Sequence, residues 1–252
     1  MLYYMVLNWG FWLRSPYDLI VIQKAEIGKE ENMGEKDQLA PESCLTVLEE
    51  PAVFDPFMNP REKLARPKLL LHSCCGPCST AVIERLVGDY DVTVFYYNPC
   101  ITDEEEYIHR RETQIQFIEK FNREGISPVP VLFLEGKYNP QAYYEKTEGH
   151  EVDPEGGQRC LLCFEMRLRE TAKHAAGGGF DFFATTLSVS PHKDYQALSL
   201  LGQSLSETYR VPFLDIDFKK KAGFQRSVQL SRQYELYRQD YCGCEYSKRR
   251  DE

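Results

Sequence analysis

The stretch LLLHSCCGPCST, residues 69–80, decides the fold and holds the densest group of cysteines in the chain. Its apolar run predicts a buried strand, and the residues after Cys75 predict the N-terminus of a helix. A phosphate loop occupies this position in nucleotide-binding α/β folds, but the stretch lacks the glycines and the lysine that cradle phosphates. The residues therefore argue against ATP use at this turn.

Strand-like and helix-like segments alternate along the chain from this stretch onward. Short β-branched or aromatic runs predict strands at residues 69–72, 92–97, 129–134, 180–185 and 211–215. Amphipathic stretches predict helices at residues 78–87, 103–122, 139–145, 159–175, 191–209 and 223–238. This alternation predicts an α/β fold with a Rossmann-like parallel sheet of about five strands and helices on both faces. In such sheets ligands bind beyond the carboxyl ends of the strands, where several cysteines follow predicted strands.

Composition divides the chain into two parts. The 252 residues are 42% hydrophobic and 27% charged, which is ordinary for a globular protein. Residues 1–65 hold 6 Lys+Arg against 11 Asp+Glu and predict an irregular N-terminal extension, which leaves residues 66–252 as the catalytic domain. The sequence has neither an apolar run of about 18 residues nor a convincing export signal. We therefore expect a cytoplasmic protein with reduced thiols and no membrane partner.

The cysteines at the first predicted strand allow three interpretations. Cys75-Gly76-Pro77-Cys78 matches the thioredoxin dithiol, in which a helix N-terminus lowers the pKa of the first thiol. Cys74 and Cys75 also offer two adjacent thiolates to a metal, and a purely structural role is the third possibility. Metal ligation is favoured because the dithiol interpretation leaves most of the other grouped cysteines unused.

Two further cysteine groups have different spacings. Cys160 and Cys163 are three residues apart, which places both sulfurs on one face of a helix. Together with the first group they could complete a four-thiolate site, which suits zinc and a [4Fe–4S] cluster alike. Cys242 and Cys244 flank a single glycine, and this tight pair favours a small, readily reduced disulfide over additional metal ligands.

A basic segment near the C-terminus contrasts with the formal net charge of −9. Residues 218–250 carry nine basic side chains against three acidic ones, and basic side chains can contact nucleic-acid phosphates. Lys193 follows the fourth predicted strand and is a further candidate for anion binding. Ser190 and Pro191 also predict a helix N-cap and first turn at this place. The candidate phosphate contacts are Lys193, Lys219, Lys220, Lys221, Lys248, Arg249 and Arg250.

Five motifs together resemble epoxyqueuosine reductase of the QueH type. They are LLHSCCGPCS, FYYNPCI, RCLLCFEMRL, ATTLSVSPHKD and YRQDYCGCEYS, and the resemblance covers residues 67–247. It implies a Rossmann-like fold of the HUP type and a tRNA partner that carries epoxyqueuosine. The implied reaction reduces the epoxide at the anticodon wobble position, without a corrinoid, to give queuosine and water in the final step of queuosine biosynthesis.

The resemblance also implies roles for individual residues. The [4Fe–4S] ligands fall on Cys74, Cys75, Cys160 and Cys163, and the redox-active disulfide falls on Cys242 and Cys244. The resemblance further implies an additional mononuclear iron beside the cluster with an Asp ligand, for which Asp103 and Asp194 are the candidates. Cys78 and Cys100 receive no role.

We expect an oxidoreductase of this kind to need an external electron donor and not to bind DNA. Two other function classes fit parts of the pattern: a thioredoxin-like disulfide oxidoreductase and a zinc-stabilised binding module.

Overall fold

The computed structural model describes residues 66–248 and the backbone of Gln23–Lys24. The predicted extension, apart from those two residues, and the predicted phosphate contacts Arg249 and Arg250 lie outside the described residues. The strands are β1 (Gln23–Lys24), β2 (Lys68–His72), β3 (Asp91–Tyr96), β4 (Leu132–Glu135) and β5 (Phe182–Thr185). The helices are α1 (Gly76–Leu86), α2 (Glu104–Arg123), α3 (Pro140–Thr147), α4 (Gln158–Gly177), α5 (Tyr195–Tyr209) and α6 (Gly223–Gln233).

The strands form one parallel sheet in the order β1-β4-β3-β2-β5. This arrangement confirms the predicted α/β class and four of the predicted strands. The fifth prediction, a strand at residues 211–215, is wrong because this segment makes only one parallel bridge, between Phe183 and Phe213. Pro212 accepts a hydrogen bond from the Phe183 amide at 3.0 Å, but it has no N–H with which to extend the ladder. The two-residue β1 occupies the opposite edge of the sheet.

Side chains alternate between the two faces of the sheet and meet a different helical layer on each. Leu69 and Leu71 of β2 belong to the apolar cluster that includes residues of α1, α2 and α6. Leu70 belongs to the cluster that includes Leu168 of α4 and Leu198 of α5. Both faces are therefore buried, which explains the continuous apolar sequence of β2.

The loops after β2, β3 and β5 meet at the carboxyl edge of the sheet. The Asn98 side chain after β3 donates to the Ser73 carbonyl after β2 at 2.9 Å and ties two of these loops together. After β5 the chain forms a 3-10 turn, Thr186–Val189, and a further turn before α5. The predicted N-cap at Ser190 is wrong, because Asp194 caps α5 and accepts from the Gln196 amide at 2.8 Å.

Among the described residues, no helix has both the length and the apolar composition needed to cross a membrane.

Candidate functional site

Three thiols gather where β2 meets the N-terminus of α1. The Sγ atoms of Cys74, Cys75 and Cys78 all lie within 4.8 Å of one another, a spacing that a metal ion could bridge. Gln239 donates from Nε2 to the Cys75 sulfur at 2.9 Å. Burial opposes ionisation of Cys75, but hydrogen bonds from Cys74 and Cys78 and the charge of Arg110 bring its pKa well below the usual value.

The second group lies in the first turns of α4. The Gly156 amide donates to the Cys160 sulfur at 3.3 Å, and the buried Cys163 follows one turn later. A hydrogen bond with Cys163 lowers the pKa of Cys100 to about 6 against the effect of burial, and the Arg167 charge helps. Cys100 therefore joins this group, although its sequence position after β3 gave it no role.

The third group, Cys242-Gly243-Cys244, lies close to the second. Cys244 packs in one buried cluster with Cys100, Tyr143 and Cys163. Gly243 has a φ of +130°, a backbone conformation that residues other than glycine rarely adopt. All eight cysteines among residues 66–248 are free thiols, so the structure shows the pair as a dithiol.

A concave pocket at this edge of the sheet connects the second and third groups. Its lining comprises Cys100, Tyr143, Cys160, Cys163, Phe164, Arg167, Lys193, Cys242 and Cys244. Cys74 of the first group packs against the same apolar cluster as Cys160. All four predicted cluster ligands therefore lie at one end of the sheet. Cys160 and Cys163 do not, however, belong to the compact trio of Cys74, Cys75 and Cys78.

Arg167 supplies positive charge in the middle of these thiols. Its side chain is fully buried, and Nε donates to the Cys163 carbonyl at 3.2 Å while one terminal nitrogen has no hydrogen-bond partner among the described residues. Burial opposes its charge, but the nearby sulfurs of Cys100, Cys163, Cys242 and Cys74, when ionised, raise the pKa of Arg167. A buried cation with an unpaired donor implies a negatively charged occupant. An all-thiol ligand set around this cation fits a thiolate-bound iron–sulfur group.

Each candidate aspartate uses a carboxylate oxygen to cap a helix. Asp103 caps α2, accepts from the Glu106 amide at 3.3 Å and pairs with Lys248 at 3.0 Å. Asp194 is exposed and caps α5. Both carboxylates are thus explained as helix caps, and the geometry does not place either one as a metal ligand.

The structure gives the predicted phosphate contacts unequal surroundings. Lys193 is buried and engages Glu155 at 3.2 Å and Cys242 at 3.0 Å, which does not support a phosphate contact. Lys219 is half-buried and donates to the Lys193 carbonyl at 3.0 Å. Lys220 and Lys221 are exposed. Lys248 pairs with Asp103 but keeps about half of its side chain exposed, at 47%.

Sequence reasoning missed several residues of the site. Arg167 carried a usable signal, since it follows Cys163 by four residues and therefore lies on the same helical face. Arg110 and Gln239 carried none, because their contacts with the cysteine groups join distant segments of the chain. Glu155 carried none because it reaches the site only through Lys193.

Comparisons with known proteins agree with the motifs. The family model described as "Epoxyqueuosine reductase QueH" matches residues 69–250. The curated protein of that name from Streptococcus pyogenes is 42% identical over 182 residues, which are 72% of this chain and 71% of the relative. Its counterpart from Staphylococcus epidermidis is 40% identical over 184 residues, 72% of this chain and 76% of the relative. Thermotoga maritima has a counterpart at 32% identity that covers 71% of this chain and 89% of the relative.

A solved structure also aligns with the chain. The U34-tRNA thiolase NcsA from Methanococcus maripaludis, solved with its [4Fe-4S] cluster, aligns with a TM-score of 0.47 and 15% identity. The alignment covers 75% of this chain and 64% of the thiolase chain.

Proposed function

Because the chain belongs to the epoxyqueuosine reductase QueH family, we propose that it is an oxidoreductase that acts on tRNA. It reduces the epoxide of epoxyqueuosine at the anticodon wobble position to give queuosine and water. The observation that carries the proposal is the convergence of three cysteine groups at the carboxyl edge of the sheet. Family membership favours this activity over a thioredoxin-like oxidoreductase or a zinc-stabilised binding module.

Four thiolates, from Cys74, Cys75, Cys160 and Cys163, would hold a [4Fe–4S] cluster. When bound, such a cluster supplies one-electron transfer at this end of the sheet. The N-termini of α1 and α4 place partial positive charge beside this site, and Arg167 compensates the negative charge of the group. The prediction of an additional iron with an Asp ligand gains no support from Asp103 or Asp194, so we derive no step from it.

The Cys242 and Cys244 dithiol would supply the reducing equivalents. Removing the epoxide oxygen as water takes two electrons and two protons, which two thiols provide when they close a disulfide. The epoxide and dithiol thus become the alkene, water and disulfide. An external donor of electrons would then reduce the disulfide for the next turnover. Gly243 allows the tight turn that lets both sulfurs face the pocket lining.

Exposed basic residues beside the pocket would bind the tRNA. Lys220 and Lys221 lie in the segment after the bridge at Phe213, and Lys219 contacts the main chain of Lys193 at the pocket wall. Lys248 and the adjacent Arg249 and Arg250 follow the dithiol directly. Phosphate contacts of this kind weaken steeply as salt increases. The cytoplasm, where thiols stay reduced, is the matching compartment for this chemistry.

The direct test is conversion of epoxyqueuosine-tRNA by anaerobically purified protein reconstituted with iron and sulfide. Nucleosides from the digested tRNA would be identified by mass, with a chemical reductant as the electron donor. The proposal expects queuosine in amounts well above the enzyme concentration. A Cys242→Ser variant, which keeps the predicted cluster ligands, should show no multiple turnover. Protein that contains its iron and sulfide but leaves epoxyqueuosine unchanged would refute the proposed activity.

A further inference from the structure

Lys193 is a buried lysine whose ammonium contacts the dithiol. It is 9% exposed and lies in the turn between β5 and α5. Its Nζ lies 3.0 Å from the Cys242 sulfur and 3.2 Å from Glu155 Oε1. Its own carbonyl accepts from Lys219 Nζ at 3.0 Å, which helps to hold the turn in place.

A buried ammonium needs hydrogen-bond or ionic partners that compensate for the loss of its hydration. Glu155 provides one, but its side chain is 50% exposed, and a pair of that kind contributes little. The Cys242 sulfur is the second partner and is itself enclosed by the pocket. When Cys242 loses its proton, the thiolate makes a charge-assisted hydrogen bond with the ammonium, which is stronger than a bond between neutral groups.

The remaining charged and titratable groups around Cys242 come from two directions. Arg167 and Cys163 approach from α4, and Cys100 approaches from the loop after β3. Burial raises the pKa of Cys242 above its usual value, and the charges of Lys193 and Arg167 oppose that shift only in part. Lys193 donates a hydrogen bond to the sulfur at 3.0 Å, which makes it the direct partner of Cys242.

We propose that Lys193 is a positioning residue of the redox pair, one that fixes the Cys242 sulfur and compensates the charge of its thiolate. The proposal rests on the proposed function only in taking Cys242 and Cys244 as that pair. It assigns Lys193 to the reductant, where the basic motif alone suggested nucleic-acid binding.

The arrangement also accounts for the protons of the reaction. The Cys242 and Cys244 thiols form the S–S bond and release two electrons and two protons. Lys193 stabilises the Cys242 thiolate that forms as its proton leaves. Both protons end in water with the epoxide oxygen. An external dithiol reduces the disulfide and restores both thiols.

A cation that stabilises the thiolate favours the reduced form of the pair. Stabilising the reduced form makes a dithiol–disulfide couple more oxidising. Removing the charge should therefore shift the equilibrium towards the disulfide. We expect Lys193→Met to change the equilibrium constant about tenfold, which corresponds to about 30 mV towards more negative potential for a two-electron couple.

The experiment equilibrates iron- and sulfide-reconstituted protein, without oxygen, in dithiothreitol buffers of graded oxidised-to-reduced ratio. Free thiols are then alkylated, and trypsin releases residues 239–248, which contain Cys242 and Cys244 as their only cysteines. Mass spectrometry of this peptide gives the fraction oxidised. Lys193→Arg, which keeps the charge, should remain within about threefold of the unsubstituted chain.

In Lys248→Met, trypsin releases residues 239–249, which contain the same two cysteines. This variant is the matched control, because Lys248 lies in the dithiol segment but contacts Asp103 and the Tyr241 ring rather than a cysteine. Its potential should equal that of the unsubstituted chain. The proposal would be overturned if Lys193→Met changed the equilibrium constant of the dithiol–disulfide couple by less than about twofold relative to the unsubstituted chain. An equal shift in Lys193→Arg and Lys193→Met would also overturn it, since position rather than charge would then matter.

Failure of this proposal differs from failure of the proposed function. If Lys193→Met leaves the potential unchanged while the unsubstituted chain reduces epoxyqueuosine-tRNA, only the role of Lys193 is wrong. If the potential shifts as expected but epoxyqueuosine-tRNA is not reduced, Lys193 serves the pair and the assigned substrate is wrong.

Discussion

Arg110 of α2 holds the main chain of Cys242, which lies 132 residues further along the sequence. Its guanidinium donates to the Cys242 carbonyl at 3.0 Å and to the Tyr241 carbonyl at 3.2 Å. The side chain is buried and is held in place by Glu106 at 2.6 Å. The dithiol is therefore attached to the helix that follows the β3 loop through an ion-paired arginine.

Replacing Arg110 by Met should release the dithiol segment. Two charge-assisted hydrogen bonds to the segment would be lost, and Glu106, which is 12% exposed, would lose its ion-pair partner. We expect amide exchange in residues 239–248 to accelerate at least about tenfold and multiple-turnover activity to fall by a similar factor. The measurement is hydrogen exchange read by mass spectrometry.

Arg111→Met is the control for this change. Arg111 is the next residue on the same helix, but it pairs with Glu112 and Glu135 and is 30% exposed. Exchange in residues 239–248 should remain unchanged in this variant. Equal acceleration in both variants would contradict the anchoring role of Arg110.

Substituting Gly243 by Ala should misplace the dithiol without unfolding the protein. An added Cβ would lie 2.9 Å from Ile101 Cγ1 and 3.2 Å from an Arg110 terminal nitrogen, and φ of +130° is unfavourable for alanine. Strain of this kind costs about 1–3 kcal/mol locally. We expect activity to fall about tenfold or more, measured as the initial rate of queuosine formation.

Gly125→Ala separates steric contact from backbone strain. Gly125 also has a positive φ, +65°, but a Cβ there would meet no atom within 4 Å. Its activity should match that of the unsubstituted chain. Full activity in Gly243→Ala would show that the dithiol does not need this turn.

Iron content should separate cluster ligands from the redox pair. Single substitution of Cys74, Cys75, Cys160 or Cys163 by Ser removes a thiolate from the proposed site and should lower bound iron by at least about half from the four irons of a complete cluster. Cys242→Ser should retain its iron. Iron and sulfide are measured on the same anaerobic sample. Iron loss in Cys242→Ser with retention in Cys160→Ser would reverse the two assignments.

Arg167→Met should affect the metal-free and the iron-loaded protein in opposite directions. Without iron, the buried guanidinium has an unpaired nitrogen, so an apolar side chain of similar length should leave stability equal or higher. With iron, the loss of a compensating cation should weaken retention. Thermal unfolding of both forms gives the two effects. Arg169→Met, on the exposed face of the same helix, should change neither. A loss of stability in metal-free Arg167→Met would contradict this account.

Local patterns predicted the parts of the structure that depend on neighbouring residues. The strand at residues 69–72 and the helix start after it were predicted from local sequence, and both were confirmed at β2 and α1. The start of α5 was wrongly predicted at Ser190. Asp194 is an equally good N-cap, and only packing decides between the two. Pro212 likewise shortened a strand that its neighbours favoured.

Contacts across the fold could not be predicted from the sequence. Lys193 and Cys242 are 49 residues apart, and nothing in either motif indicates that they meet. Lys193 was predicted to bind phosphate because it is basic and follows a strand. Its side chain is instead buried and contacts the Cys242 sulfur. This contact depends on how the C-terminal segment packs at the edge of the sheet.

The central claim is that the Cys242–Cys244 dithiol supplies the electrons for epoxide reduction. The most direct test mixes pre-reduced, iron-loaded protein with a smaller amount of epoxyqueuosine-tRNA, without oxygen and without any other reductant. The account predicts that one disulfide appears in peptide 239–248 for each queuosine formed. Queuosine that forms while this peptide stays fully reduced would contradict it.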